Sequence, residues 1–209
     1  MCYNATVSIY TYTIGIIGSL KLLMDGYIPE ALFLMTAIQM QLIEYFLWNN
    51  INSNGSFEDN QKITKIGALI VHMEPIILWI VILLFSSRLL PTFINYFMFI
   101  FVILSILYIK GIYEDKLLYT TFNPEKSPHL EWKWNGGRYS NQFYLLFLLS
   151  FILLSIYGID NGIFLAGLSL ISFFISYWIY NDKHVLGSMW CFSAAFAPWI
   201  LSLIYSYIN

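Results

Sequence analysis

Apolar residues along this chain fall into seven runs that reach or approach the length of a bilayer, and short polar clusters punctuate them. The runs are 5–24, 29–50, 66–86, 90–109, 142–158, 162–180 and 185–207. At about 1.5 Å rise per residue, about 20 residues cross a hydrocarbon core about 30 Å thick. The breaks carry turn chemistry. Asp25-Gly26 and Pro29 part the first pair, Asn52 to Ser56 with Glu58 and Asp59 the second, and Ser86-Ser87-Arg88 with Pro91 the third. Gly158 to Gly162 parts the fifth run from the sixth, and Asn181-Asp182-Lys183 the sixth from the seventh. The fifth run is short and its turn into the sixth is tight, which predicts an antiparallel hairpin of helices. The expected fold class is all-α, a polytopic membrane protein with a seven-transmembrane-helix bundle forming one domain over 1–209.

The longest connection, 110–141, is expected to be ordered. In His129-Leu130-Glu131-Trp132-Lys133-Trp134 polar and apolar residues alternate with period two, the pattern of a strand or extended segment with one apolar face. Asn135-Gly136-Gly137 supplies a turn after it. Trp132 and Trp134 then belong either to a headgroup belt or to a lid over a cavity.

Composition strengthens the membrane reading. Of 209 residues, 59% are hydrophobic and 11% charged, against about 25% charged in soluble domains. The net charge of −2 comes without a basic block, which argues against nucleic acid as a partner; the lipid bilayer is the expected partner. Two cysteines do not make a disulfide framework. The opening residues show neither a basic n-region nor an A-x-A site, so the first span is expected to direct insertion itself.

With seven spans, the N-terminus and the second–third, fourth–fifth and sixth–seventh connections share one side. That side holds eight basic residues, Lys62, Lys65, Lys110, Lys116, Lys126, Lys133, Arg138 and Lys183, and the other holds Lys21 and Arg88. The bias predicts a cytoplasmic N-terminus, a cytoplasmic 110–141 loop and an outside C-terminus.

Three ionisable groups sit inside apolar runs: Glu44 in the second, His72 and Glu74 in the third. A charge at mid-membrane costs about 2.5–3.5 kcal/mol on insertion scales, so such groups face a bundle interior and mark function or helix pairing. Counted from the expected cytoplasmic ends, Glu44 lies about 6–9 Å inside, His72 and Glu74 about 10–14 Å, and Trp190 and Cys191 about 9–11 Å. Cys2 stands at the mouth of the first span. Gln41, Glu44 and Trp48 share one helical face, as do His72, Pro75 and Trp79. Glu74 points away from His72 on an ideal helix, but Pro75 frees the Val71 carbonyl and offers a kink that would let both reach one cavity.

These positions give a candidate ligand or ion site of Glu44, His72, Glu74, Gln41, Trp48 and Trp190. Each has a structural reading too: Glu44 as interhelical glue, His72 as a satisfied polar contact. Cys2, His72 and Cys191 carry donor types suited to a metal such as zinc, although no CxxC, HxxxH or HExxH spacing supports it. The seventh run contains no lysine, which excludes retinal.

Met1-Cys2-Tyr3-Asn4-Ala5-Thr6-Val7-Ser8, Gln41-Leu42-Ile43-Glu44 with Trp48, and Trp190-Cys191-Phe192-Ser193-Ala194-Ala195 resemble the signature of an uncharacterised family of multipass membrane proteins. Its members open M-C-F-S-A-T-A-S, carry Q-Q-x-x-E-x-x-x-W in helix two and W-C-x-x-A-A in the last helix. Met40 stands where the family often has glutamine, and Tyr3-Asn4 replaces Phe-Ser. The resemblance implies a shared fold and a shared site at Cys2, Glu44 and Cys191, and no reaction.

The leading expectation is a cytoplasm-facing polar cavity that binds a small ligand, proton or cation for transport or sensing. Glu44 and Glu74 would anchor it, with His72 as a titratable partner. A metal-dependent membrane hydrolase acting on lipid and a structural or assembly protein are the alternatives.

Overall fold

The computed structural model describes residues 4–125, 129–136, 140–180 and 183–208, with the side chains at 135, 136, 140, 180 and 183 excepted. Among them lie eight helices: α1 (Ala5–Met24), α2 (Ile28–Asn52), α3 (Phe57–Phe85), α4 (Thr92–Glu114), α5 (Ser140–Gly158), α6 (Gly162–Tyr180), α7 (Lys183–Ala194) and α8 (Ala197–Ile208). Strands β1 (Thr120–Phe122) and β2 (Leu130–Trp132), then a 3₁₀ turn (Lys133–Gly136), fill the connection between α4 and α5. Helices α1 to α6 are each long and apolar enough to cross a membrane; α7 and α8 meet that test only together, bent by 44°. The protein is thus a helical integral membrane protein by the length and apolarity of its helices.

Local chemistry explains the helix ends. The Asn4 side chain accepts a hydrogen bond from Val7 N at 2.9 Å, and Ser56 Oγ accepts one from Asp59 N at 3.0 Å, each satisfying an otherwise orphaned first-turn donor. Gly26 takes φ +92° in the α1–α2 turn, a conformation that side chains resist.

Three boundaries differ from the expected ones. α3 starts at Phe57 rather than near Lys65, because the Ser56 cap and the acidic pair Glu58 and Asp59 favour a helix start there. Its 29 residues make a rod about 43 Å long, more than a bilayer core requires. α4 runs on to Glu114. The run 185–207 is two helices, not one: Pro198 has no N–H to give the Ala194 carbonyl and its ring crowds that carbonyl, so the chain turns through Ala195 and Phe196. Pro75, by contrast, lies inside a continuous α3.

The alternating segment 129–134 is strand over Leu130–Trp132 and 3₁₀ turn from Lys133 onward. β2 pairs antiparallel with β1, Thr121 opposite Glu131. Trp132 and Trp134 are buried, their ring centroids 4.3 Å apart, rather than standing in a headgroup belt. Polar groups rivet this hairpin to the bundle. Asn60 Nδ2 donates to Thr120 O at 3.1 Å and Asn60 Oδ1 accepts from Thr120 N at 2.9 Å. His184 Nδ1 lies 3.0 Å from Trp132 O, joining α7 to β2.

The opposite end of the bundle is closed by α8. Tyr205 donates to Glu30 at 3.2 Å, and its ring lies 4.4 Å from that of Tyr27. Arg88 donates to Asp160 at 2.6 Å, tying the α3–α4 turn to the α5–α6 turn. Midway along α1, a Cβ on Gly18 would sit 2.6 Å from Trp199 Nε1, so glycine lets α8 lie close.

Candidate functional site

Buried polar side chains on α1, α2 and α7 form one hydrogen-bonded seam. Thr11 Oγ1 donates to Gln41 Oε1 at 2.7 Å, Gln41 Nε2 to Glu44 Oε2 at 3.3 Å, and Ser188 Oγ to Glu44 Oε1 at 2.5 Å. Gln41 and Glu44 meet because three residues along a helix return to the same face. Trp48 continues that face but belongs to other surroundings: its ring meets Phe122 of β1 edge-on at 4.8 Å.

His72 sits in a second setting, an aromatic enclosure. Its ring centroid lies 5.2 Å from Tyr108, 5.4 Å from Phe143, 5.7 Å from Tyr144 and 6.1 Å from Trp134. Nδ1 is 2.5 Å from the Ala68 carbonyl and Nε2 is 2.9 Å from the Tyr144 hydroxyl. A carbonyl only accepts, so Nδ1 carries a proton, and the network is complete with Tyr144 donating to Nε2.

Glu74 occupies a third. It is buried, and its Oε1 is sealed from solvent without a hydrogen-bond partner among the described residues. The carboxyl lies between two cavities that share Glu74, Trp190 and Cys191. The larger, of about 440 Å³, runs between α5, α6 and α7 and is roofed by Trp132 and Trp134. The smaller, of about 320 Å³, reaches Ser193, Ala194 and Ala197 at the α7–α8 break. Helix ends inside a bilayer are tolerated where they face protein or a cavity, because their freed carbonyls need partners.

The sequence-predicted residues are therefore distributed. Glu44 and Gln41 belong to the α1–α2–α7 seam, His72 to the aromatic enclosure, and Glu74 with Trp190 and Cys191 to the cavities. Glu74 and His72 do not line a common cavity wall, since positions i and i+2 differ by about 200° and Pro75 does not bring them together. Tyr144 links them at one remove: it bonds His72 and lines the larger cavity. Cys2 lies outside the described residues. Among the described residues no three His, Cys, Asp or Glu side chains converge on a metal position, and both His72 ring nitrogens are engaged.

Sequence reasoning missed Thr11, Ser188 and Tyr144. Ser188 falls three residues before Cys191 on the same helical face, a signal available in the sequence. Tyr144 is 72 residues from His72 and gives no local cue. No protein family, curated protein or solved structure matches the chain. The motif resemblance at residues 1–8, 41–48 and 190–195 accordingly rests on those motifs alone, and the fold and site carry the functional argument.

Proposed function

We propose that this protein binds a small ligand, proton or cation in an intramembrane cavity, in the service of transport or sensing, with Glu74 as its anchor. One observation carries the reading: a buried carboxyl oxygen with no partner among the described residues, held between two cavities. Leaving such a group unpaired costs several kcal/mol in a dry setting, and intramembrane carboxylates generally mark ion or substrate paths. The α7–α8 break supports the same reading, because discontinuous helices at depth present backbone carbonyls to bound cations.

Seven spans with a cytoplasmic N-terminus complete the proposal. α7 touches the hairpin end through His184, while α8 reaches the other end through Tyr205 and Glu30. Together their 24 residues cover about 36 Å, enough for one bent crossing. The larger cavity then faces the cytoplasmic half. Among the described residues no three ligand-type side chains converge around Glu74, which favours ion or ligand binding over metal-dependent hydrolysis.

The test is Glu74→Gln in the full chain, reconstituted in lipid vesicles and compared with the native protein for proton uptake and cation binding. Native uptake should vanish in the variant while expression and thermal stability hold or improve, since the amide keeps the shape of a carboxyl group and cannot ionise in this dry setting. A variant that takes up protons and cations like the native protein would refute the assignment.

A further inference from the structure

The wall chemistry around Glu74 narrows the ligand. Rings line the larger cavity in an unbroken series: Tyr144 and Phe147 at 6.2 Å, Phe147 and Trp190 at 5.9 Å, Trp190 and Phe173 at 5.6 Å, Phe173 and Phe174 at 5.7 Å. Neither cavity is lined by a lysine or arginine among the described residues, so Glu74 carries the one carboxyl group in their walls and meets no basic side chain there. Aromatic faces are negative at the centre and attract organic cations, most strongly once these are stripped of water. A carboxylate beside several such faces is complementary to a bulky, weakly hydrated positive charge, and repels an anion.

An inorganic cation is a poorer match. Hard cations demand about six or more oxygen ligands. The Ser172 and Ser193 hydroxyls here already donate to the carbonyls of their own helix, Ser169 O at 3.0 Å and Met189 O at 3.2 Å. The remaining walls are mostly apolar, Asn141 being the one side-chain amide among them. Both volumes fall within the range of small-molecule sites, about 300–1,000 Å³.

The walls also show the way in. Several lining residues are exposed on the outer face of the bundle: Phe174 is 61% exposed at the larger cavity and Ile171 59% at the smaller. Both lie within α6, a span-length apolar helix, so this face meets lipid rather than water. Exposed α6 residues thus stand in the walls of both cavities.

We infer that the paired cavities take up an amphiphilic organic cation directly from the bilayer, its positive group against Glu74 and its apolar body along the rings of α5, α6 and α7. The inference rests on the reading of Glu74 given above and adds the ligand class and its route. Binding exchanges one positive charge for another: the protonated carboxyl gives its proton to solvent as the organic cation takes its place. Tyr144, Tyr177 and Cys191 are the other titratable side chains in these walls.

The experiment uses the full-length protein in phosphatidylcholine nanodiscs, with tetraphenylphosphonium as probe and tetraphenylborate and tetramethylammonium as controls. The readouts are quenching of tryptophan fluorescence, proton release to a pH indicator, and thermal shift. Tetraphenylphosphonium should bind saturably and release protons. Tetramethylammonium, too hydrophilic to enter from lipid, should bind at least about tenfold more weakly. Tetraphenylborate, of matching shape and opposite charge, should not bind saturably. Glu74→Gln should weaken tetraphenylphosphonium about tenfold or more and abolish proton release. Trp190→Leu should weaken binding but keep proton release. Equal binding of borate and phosphonium by the native protein would overturn the inference without recourse to any variant. Native proton uptake through Glu74 without phosphonium binding would overturn the ligand class and leave the cavity function standing. Loss of both would overturn both.

Discussion

Glu44 and Glu74 lie on adjacent helices and meet opposite circumstances. Glu44 accepts from Ser188 and Gln41, so its carboxyl is tied across α2 and α7. Glu74 Oε1 has no partner among the described residues, and the residue lines both cavities. The first arrangement is that of a structural clasp, the second that of a binding group. Ser188→Ala should therefore lower thermal stability, by about 0.6–1.7 kcal/mol on the scale of interhelical membrane hydrogen bonds, and leave ligand binding unchanged; a Ser188→Ala protein as stable as the native one would remove the clasp. His129, outside the spans, is buried beside β2, and burial pushes its imidazole down from 6.5 to about 4. The unfolded chain then binds a proton that the folded chain refuses between those two values. Stability is complete above about 6.5 and declines as pH falls toward about 4. Melting curves across this range should show that decline, and His129→Gln should flatten it.

Elements decide where these groups lie. The α7–α8 break follows from Pro198, whose missing N–H and ring bulk end the ladder at Ala194. Pro198→Ala permits a continuous helix, which would carry Ser193 and Ala197 away from the smaller cavity. Labelling of Cys191, which lines both cavities, by a membrane-permeant thiol reagent should change in rate in this variant, and an unchanged rate would show that the break survives without proline. The hairpin acts on the other cavity. Its tryptophans roof the larger space, and Asn60, Thr64 and Thr120 hold it down through buried hydrogen bonds, Thr64 and Thr120 at 2.8 Å. The period-two pattern at 129–134 announced an extended segment, but its partner strand at 120–122 carries too few residues to announce itself.

At the scale of the whole molecule, two tied ends enclose a middle with cavities. One end is the hairpin on α3 and α7; the other is α8 against the α1–α2 turn, with Arg88 and Asp160 alongside. The Arg88 guanidinium beside Asp160 holds that carboxyl below the usual carboxylate range, yet the pair is exposed and adds little stability. If α7 and α8 form one bent crossing, reporters fused to the C-terminus and inserted in the 110–141 loop fall on opposite sides, the loop in the cytoplasm. Matching locations would make α7–α8 a re-entrant pair and the spans six.

The sequence by itself determined the class and most of the frame. Long apolar runs must be helices in lipid, because each backbone N–H and C=O then finds its partner within the segment, and Gly, Pro, Asn and Ser clusters placed most of their ends to within a few residues, the start of α3 at Phe57 and the break before α8 excepted. It also singled out Glu44, His72 and Glu74, since a costly group in an apolar run is visible without a fold. What those groups touch was decided only in three dimensions. Helical periodicity fixes the direction of a side chain on its own rod, but not which neighbour that rod presents. Tyr144 reaches His72 and Ser188 reaches Glu44 across 72 and 144 residues of chain. The cavities depend on the same packing. Whether α5, α6 and α7 close against α3 or stand apart from Glu74 is set by the summed volumes of side chains on several helices, and no local pattern in the chain encodes that sum.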